Sequence, residues 1–407
     1  MRKLFSATVL FFLAGFSVQA QVLENGILST RTRSVLSLNL NEGDQQFRLG
    51  GFVQTFGSYT GLNDSQPEYR FGVRRAYLNL EGNFKKQNLS FLLQMDFADS
   101  YPLMDAWVAY KPFRFLKISA GQRQTFTNSR EMMLLEQTLA FSERSLMSQV
   151  FGRSGRELGV FVESRIPMGT TGLDLGAAVT SGDGRNSFGS SSVDFDLGGL
   201  KYGGRATFYP FGFFTQGNEL LGVDLARESK PRLGIGVAYS YNVGASHAVG
   251  EGHGDFEMFD AEGKPKYPDY QKISVDLLFR YQGFSFFAEY VNAIGANLNS
   301  GLFTHAALQP REIDAYLAIG NGVTLQSGYL TKSGWSFDVS HSIVKPEWAE
   351  SEKSVVKDMF ESKIGISKFF LGNNLKIQAL GKYKKFTKMH AQYNQELRSE
   401  LLIQIMF

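Results

Sequence analysis

The side chains in this sequence with the most chemistry to offer are basic, and they recur at regular positions. Arg75, Lys117, Arg123, Arg205, Arg280, Lys376, Lys382 and Lys384 each sit on the polar side of a segment in which apolar and polar residues alternate. Arg130 and Arg144 lie together in one long connection. The planar donor fork of arginine fits the oxygens of an oxyanion, and rows of cations lower the barrier to a partly dehydrated anion. Acids occupy comparable positions: Glu81, Asp96, Asp105, Asp174, Asp276 and Asp338 on polar faces, and Glu131, Glu136 and Glu143 beside Arg130 and Arg144. Each arginine therefore has two readings, an anion contact or a wall-bracing salt bridge.

Catalytic groupings are missing. Ser340 and His341 are neighbours on opposite faces of a strand, the wrong geometry for a nucleophile and its base. Of the five histidines, at 247, 253, 305, 341 and 390, only His247 and His253 share a loop, a glycine-rich one that reads as exposed. Asp194 and Asp196 could help to hold a cation at the surface, but nothing completes that site. No glycine-rich phosphate loop opens a helix. The chain has no cysteine, which excludes disulfides and lipid attachment through sulfur. A net charge of +3 is too small to imply a nucleic-acid partner. The expectation is a chain that is not an enzyme and needs no cofactor or metal.

The elements that position these cations are strands of about ten residues, the span of a tilted strand crossing a bilayer. In "LGIGVAYSYN", Leu233, Ile235, Val237, Tyr239 and Tyr241 oppose Gly234, Gly236, Ala238, Ser240 and Asn242. Sixteen such segments follow one another: 47-60, 69-84, 87-98, 103-112, 115-125, 156-165, 172-181, 199-209, 231-243, 270-281, 284-294, 316-330, 334-344, 359-370, 373-385 and 397-407. Short turns such as "FKKQN" and "LGNN" interleave with long polar loops such as Thr180 to Gly199 and Val243 to Tyr270. That is the asymmetry of an outer-membrane barrel, with short turns in the periplasm. Pro210 to Pro231 falls where a short turn belongs, and periodicity gives no account of its length. A soluble sandwich or propeller would also alternate. The N-terminus argues against both, because Arg2 and Lys3 precede an apolar run to about Phe16 and then Val18-Gln19-Ala20, a cleaved secretory signal over 1-20. That run is too short for a membrane anchor. Apolar residues are otherwise dispersed, at 43% of the chain, which excludes helical membrane spans.

The expected architecture is therefore all-β: a transmembrane antiparallel up-and-down barrel of about 16 strands at 47-407, preceded by a periplasmic extension at 21-46. With Ala76, Leu78 and Leu80 toward lipid, Arg75, Tyr77, Asn79 and Glu81 face the lumen. Mid-strand charge must point inward, since exposure to lipid costs about 2–4 kcal/mol at the midplane. By the same parity Arg74 faces lipid, which is tolerable only near the rim.

Thr125 to Gly155 is too apolar for an extracellular loop, with Met132, Met133, Leu134, Leu135, Leu139, Phe141, Leu146, Met147, Val150 and Phe151 all needing cover. It is expected inside the barrel as the inward-folded third loop, narrowing the lumen, with a short helix about Leu135 and Leu139. The alternative is a lid over the outer rim. The last ladder, Leu401, Ile403, Ile405 and Phe407, reads as a lipid face.

"RFGVRRAYLNLEGNF", "QMDFAD", "DAWVAYKPF", "LKISAGQRQTF", "FSERSL" and "GRELGVFV", and later "GVTLQSGYLTKSGWSFDVSHSIVKPE" and "NNLKIQALGKY", resemble the phosphate-selective porin O and P family, in its Bacteroidota type. The resemblance covers about Phe47 to Phe407 and is strongest from Arg70 to Val162. It implies a homotrimeric outer-membrane porin of a Gram-negative bacterium whose constriction loop is 125-155. It also implies an arginine ladder with constriction lysines carrying phosphate, and Arg75 matches a ladder position. The charges nearly balance and no dense basic constriction is evident, so a moderately anion-preferring pore or a differently selective one is at least as well supported as a strictly phosphate-selective one. The expected pathway residues are Arg75, Lys117, Arg123, Arg130, Arg144, Arg205, Arg280, Lys376 and Lys382. Phe407 resembles the terminal signal read by the outer-membrane barrel assembly machinery. The remaining partners are membrane lipid and small anions. The rival function is a structural or accessory barrel in an envelope complex.

Overall fold

The computed structural model describes residues 34–62, 66–186, 198–215, 217–245, 247–251, 258–260, 262–297, 310–371, 373–390 and 393–407. The signal segment, most of the N-terminal extension, Asp194, Asp196, His253 and His305 lie outside them. A first strand, β1 (Ser34–Leu40), precedes β2 (Gln45–Leu62), β3 (Glu68–Phe84), β4 (Leu89–Asp96), β5 (Leu103–Phe113), β6 (Leu116–Gln124), β7 (Arg156–Met168), β8 (Thr171–Thr180) and β9 (Lys201–Tyr209). There follow β10 (Arg232–Asn242), β11 (Asp269–Tyr281), β12 (Phe284–Ala296), β13 (Gly320–Leu330), β14 (Trp335–Pro346), β15 (Met359–Phe369), β16 (Leu375–His390) and β17 (Tyr393–Met406). Strands β2 to β17 each pair antiparallel with the next, and β17 pairs back onto β2, from Met406 opposite Phe52 to Glu396 opposite Leu62. The result is a closed barrel of 16 strands. β1 is a feature that periodicity did not give: it pairs with Gln45 to Gly50 of β2, just beyond the point where β17 runs out.

Alternation assigns the two faces as expected. Along β10, Ile235, Val237 and Tyr239 are exposed on the outer wall while Gly234, Gly236, Ala238 and Ser240 are buried. Rings at the short-turn ends, including Phe113, Phe115, Tyr281, Phe284, Trp335 and Phe370, are also exposed, as a membrane-interface girdle should be. Arg74 corrects the parity rule. Gln54 pairs with Arg75 and Thr55 with Val73, so Arg74 is an extra residue in a β-bulge. The bulge turns Arg74 inward beside Arg75 and resets the phase, leaving Val73 and Phe71 outside. Period-two reasoning has no means of seeing an inserted residue.

The lumen is filled along one side by two inward segments. The Thr125 to Gly155 loop runs through α1 (Arg130–Met133), a 3-10 turn (Glu136–Thr138) and α2 (Leu146–Gly152). The turn falls between Leu135 and Leu139, where a helix was expected. Ser145 caps α2, its Oγ accepting from Ser148 N at 3.3 Å. Leu146, Met147, Val150 and Phe151 form one face of α2 and pack against Tyr270, Val291, Val344 and the outer loops at Ala245, Val249, Ile313 and Leu317.

The second segment is the long connection between β9 and β10, which enters from the short-turn end. Its Leu220 O accepts from Leu135 N at 3.0 Å, and its Gly222 N donates to Thr138 O at 3.1 Å. Leu221, Val223 and Leu225 share an apolar cluster with Leu135, Ala140 and Phe141 of the loop and with Leu330, Phe369 and Leu380 of the wall. This connection is thus an internal plug that meets the loop mid-lumen, which accounts for its length. The approach is so close that a side chain at Gly222 would place Cβ 2.5 Å from Thr138 O and 2.6 Å from Ala140 N. Both are backbone atoms and cannot yield. Gly222→Val should push the plug off the loop without touching the barrel register, raising single-channel conductance. An unchanged conductance would show that the plug does not obstruct the lumen.

Candidate functional site: the eccentric pathway

Among the described residues, the open space along β3 to β9 includes two cavities separated by the loop. The outer one, about 720 Å³, lies between the extracellular loops and the residues Arg74, Arg75, Tyr77, Asp96, Met132, Glu136, Glu143 and Arg144. The inner one, about 340 Å³, reaches the short-turn end and is lined by Lys117, Phe126, Arg130, Met133, Glu163, Arg165, Asp174, Arg205, Tyr209 and Leu220. Met132 faces the first and its neighbour Met133 the second, which makes α1 part of the septum.

Six arginines and six carboxylates line the outer cavity. Most are committed to one another. Arg74 bonds Glu143 at 2.6 Å and Glu400 at 2.5 Å, and Arg398 bonds Glu400 at 2.7 Å. Arg156 bridges Glu136 at 3.2 Å and Asp105 at 3.4 Å, and Arg144 shares Glu136 at 3.2 Å while also donating to Glu131 O and Leu134 O. Arg75 and Arg153 differ, neither having a carboxylate of the described residues within 4.0 Å; Arg153 reaches only Glu251 O at 3.5 Å, whereas the Arg75 guanidinium donates to Gln54 Oε1 at 2.8 Å and to Ser142 O at 3.1 Å. Arg75 is the better fixed of the two. It is a cation held in place by neutral acceptors, one of them on the inward loop.

The inner cavity is lined by six basic and three acidic side chains. Lys117 pairs with Glu163 at 3.1 Å, and Arg165 pairs with Asp174 at 2.7 Å and Glu219 at 2.8 Å. Arg130 and Arg205 share Asp276, which stands behind them on β11. Lys111 and Arg114 are exposed at the mouth.

The sequence pattern of the family described as phosphate-selective porin O and P matches residues 45–309 of this barrel. The chain belongs to that family. It is a porin, a channel and not an enzyme, of the Gram-negative outer membrane. Its fold is similar to that of an anion-selective porin from Comamonas acidovorans, with TM-score 0.54 and 11% identity over 89% of this chain and 100% of that one. OprB of Pseudomonas putida gives 0.53 and 13% over 89% and 94%, and the channel DcaP of Acinetobacter baumannii 0.55 and 12% over 91% and 100%. At such identities the likeness shows the fold alone. No curated protein sequence matches significantly.

In the porin, the expected pathway residues divide into three groups. Arg75 and Arg144 line the outer cavity, and Lys117, Arg130 and Arg205 the inner one. Arg123, Arg280, Lys376 and Lys382 line neither. Arg123 lies between Ser119 Oγ at 2.8 Å and Glu163 at 2.5 Å and stacks on Phe161. Lys382 pairs with Glu396 at 2.9 Å. Lys376 donates to Gln137 O and Leu139 O of the loop at 3.3 Å each. Arg280, fully buried, donates to Asn218 O, Leu221 O and Val223 O of the plug. These four brace the wall or anchor an inward segment. Sequence reasoning passed over Arg74, Arg153, Arg156 and Arg185 in the outer cavity and Lys111, Arg114 and Arg165 in the inner one. Arg156 opens the quoted "GRELGVFV" and was within reach; Arg74 was hidden by the bulge. Ser340 is buried, whereas His341 is exposed on the other face beside Ser362 Oγ at 2.9 Å. Phe407 completes the ladder, exchanging bonds with Gly51 at 2.8 and 2.9 Å.

Glu143 and Glu136 dock the loop to the wall. Burial alone would raise both carboxyls, but the cations outweigh it: Arg74, Lys382 and Arg398 for Glu143, and Arg156, Arg144 and Arg75 for Glu136. Each is held at about 2, against an ordinary 4.5. A lowered carboxyl contributes fully above its ordinary value and is lost as pH falls through the lowered one. Conductance and its noise should therefore stay constant from neutral pH down to about 4.5, then rise toward pH 2 as the loop undocks. Glu143→Gln should show the noisier state at neutral pH; quiet traces from this variant would exclude Glu143 as a latch.

Proposed function

We propose that this porin passes small hydrophilic solutes by diffusion with moderate anion preference, and that Arg75 is its principal anion contact. The observation that carries the reading is the Arg75 guanidinium at the loop, whose direct hydrogen bonds go to neutral acceptors with no carboxylate of the described residues within 4.0 Å. A cation whose neighbours are neutral keeps its field, whereas one paired at 2.5 to 3.2 Å has most of it cancelled by the partner. The excess of basic residues lining the inner cavity acts in the same direction. The pairing elsewhere favours general anion preference over strict phosphate selectivity, because a dense run of free cations is what would strip and hold a phosphate. The family membership supports the anion reading.

Planar-bilayer recording in a chloride gradient should give a stable conductance whose reversal potential lies toward chloride. Arg75→Gln should move it toward zero, and millimolar phosphate should leave the chloride current unblocked. Block by micromolar phosphate would establish phosphate selectivity instead, and absence of any pore in the purified protein would favour the accessory-barrel role. We also propose a homotrimer, on family grounds and on the exposed Tyr69 and Phe71 of β3, which are 72% and 87% accessible. Recognition of Phe407 by the assembly machinery belongs to the same proposal. Cross-linking in mild detergent should yield a trimer; a monomer band alone would refute it.

A further inference from the structure

We propose that the inner cavity is a binding subsite for small organic anions with a flat apolar body, aromatic carboxylates being the chemical class that fits. The inference rests on the anion-preferring reading but goes further, because inorganic ions have no use for what lines this space. Phe126 and Met133 from the loop and Leu220 from the plug converge on it, with the ring of Tyr209 on the wall. Gly176 leaves the room into which the Phe126 ring is set, since a Cβ there would lie 2.6 Å from that ring. At about 340 Å³ the space is at the small end of ligand pockets.

The polar end is supplied by Arg130. Its side chain is only 3% accessible, and Nε is spent on Asp276. Its two terminal nitrogens have no hydrogen-bond acceptor among the described residues, and Arg130 is one of the residues that line the cavity. A buried cation with two unused parallel donors is a carboxylate fork awaiting its partner. Arg205, also on Asp276, holds its other nitrogens at 3.4 Å from Thr207 Oγ1 and Asn128 O, long bonds that a ligand could replace. The remaining charges facing the space are accounted for. Glu163 is held by Lys117 and Arg123, Asp174 and Glu219 by Arg165, and Glu289 accepts from the backbone of Arg130 and Glu131. Each of the three acids that line the cavity is therefore paired with a cation, Glu289 is held behind Arg130 by backbone donors outside the lining, and Lys111 and Arg114 stand at the mouth to attract a carboxylate.

The probe is benzoate, with acetate as the same carboxylate without the ring, each added on the short-turn side of single channels in planar bilayers. Benzoate should interrupt the chloride current at a concentration at least tenfold below acetate. Arg130→Gln should bring the two within threefold of each other. Leu220→Ser, which leaves every charge in place, should do so independently through the apolar half of the site. A channel that prefers potassium over chloride would defeat the anion-preferring reading itself. A chloride-preferring channel blocked equally by benzoate and acetate, or by benzoate undiminished in both variants, would overturn this inference alone.

Discussion

The structure depends on one requirement, that backbone carbonyls brought into the barrel without regular secondary structure must find donors there. An inward loop and an inward plug carry many such groups away from water, and each one left unmet costs roughly 1–3 kcal/mol. The wall meets them with long basic and amide side chains. Lys272 donates to Phe151 O at 2.7 Å, Lys363 to Arg144 O at 2.7 Å, and Gln378 to Ala140 O at 2.5 Å. Lys376 and Arg280 do the same for the middle of the loop and for the plug. Much of the basic lumen is therefore structural, and the pathway is what remains after those cations have been used.

That requirement also explains where sequence reasoning succeeded and where it did not. All sixteen barrel strands were legible, because lipid outside and polar lumen inside impose period two on every one. The inward course of Thr125 to Gly155 was legible for a related reason: Met147 and Phe151 could not stand in water. The plug left only its improbable length, since Leu221, Val223 and Leu225 are too few to announce a core and acquire one only from Leu135, Phe141 and Phe369. β1 alternates too briefly to be distinguished from its surroundings. Arg74 failed because parity is a count, and a bulge inserts one.

The roles of individual cations were the least legible of all, and the cause is physical. Parity places Arg75 and Arg280 alike on the lumen side, but which acceptor each meets depends on contacts more than fifty residues away in the chain. Composition is equally silent. A lumen with nearly as many acids as bases could be selective either way, because paired charges cancel locally and only the exceptions set the field that an ion meets.

On the proposed reading, selectivity in this barrel is a matter of unspent donors. The outer cavity has Arg75, oriented by Gln54 and Ser142 but not neutralised. The inner one has the far side of Arg130, oriented by Asp276 and neutralised only in part. Both are tied to the inward loop, Arg75 through Ser142 O and Arg130 by lying within it. Any movement of the loop must then alter both contacts at once, so the element that sets the width of the path also sets the charge presented along it. On the proposed reading, widening such a pore by releasing the loop would weaken a preference for anions, because release would disorder the Arg130 contact and free Arg75 from the carbonyl that aims it.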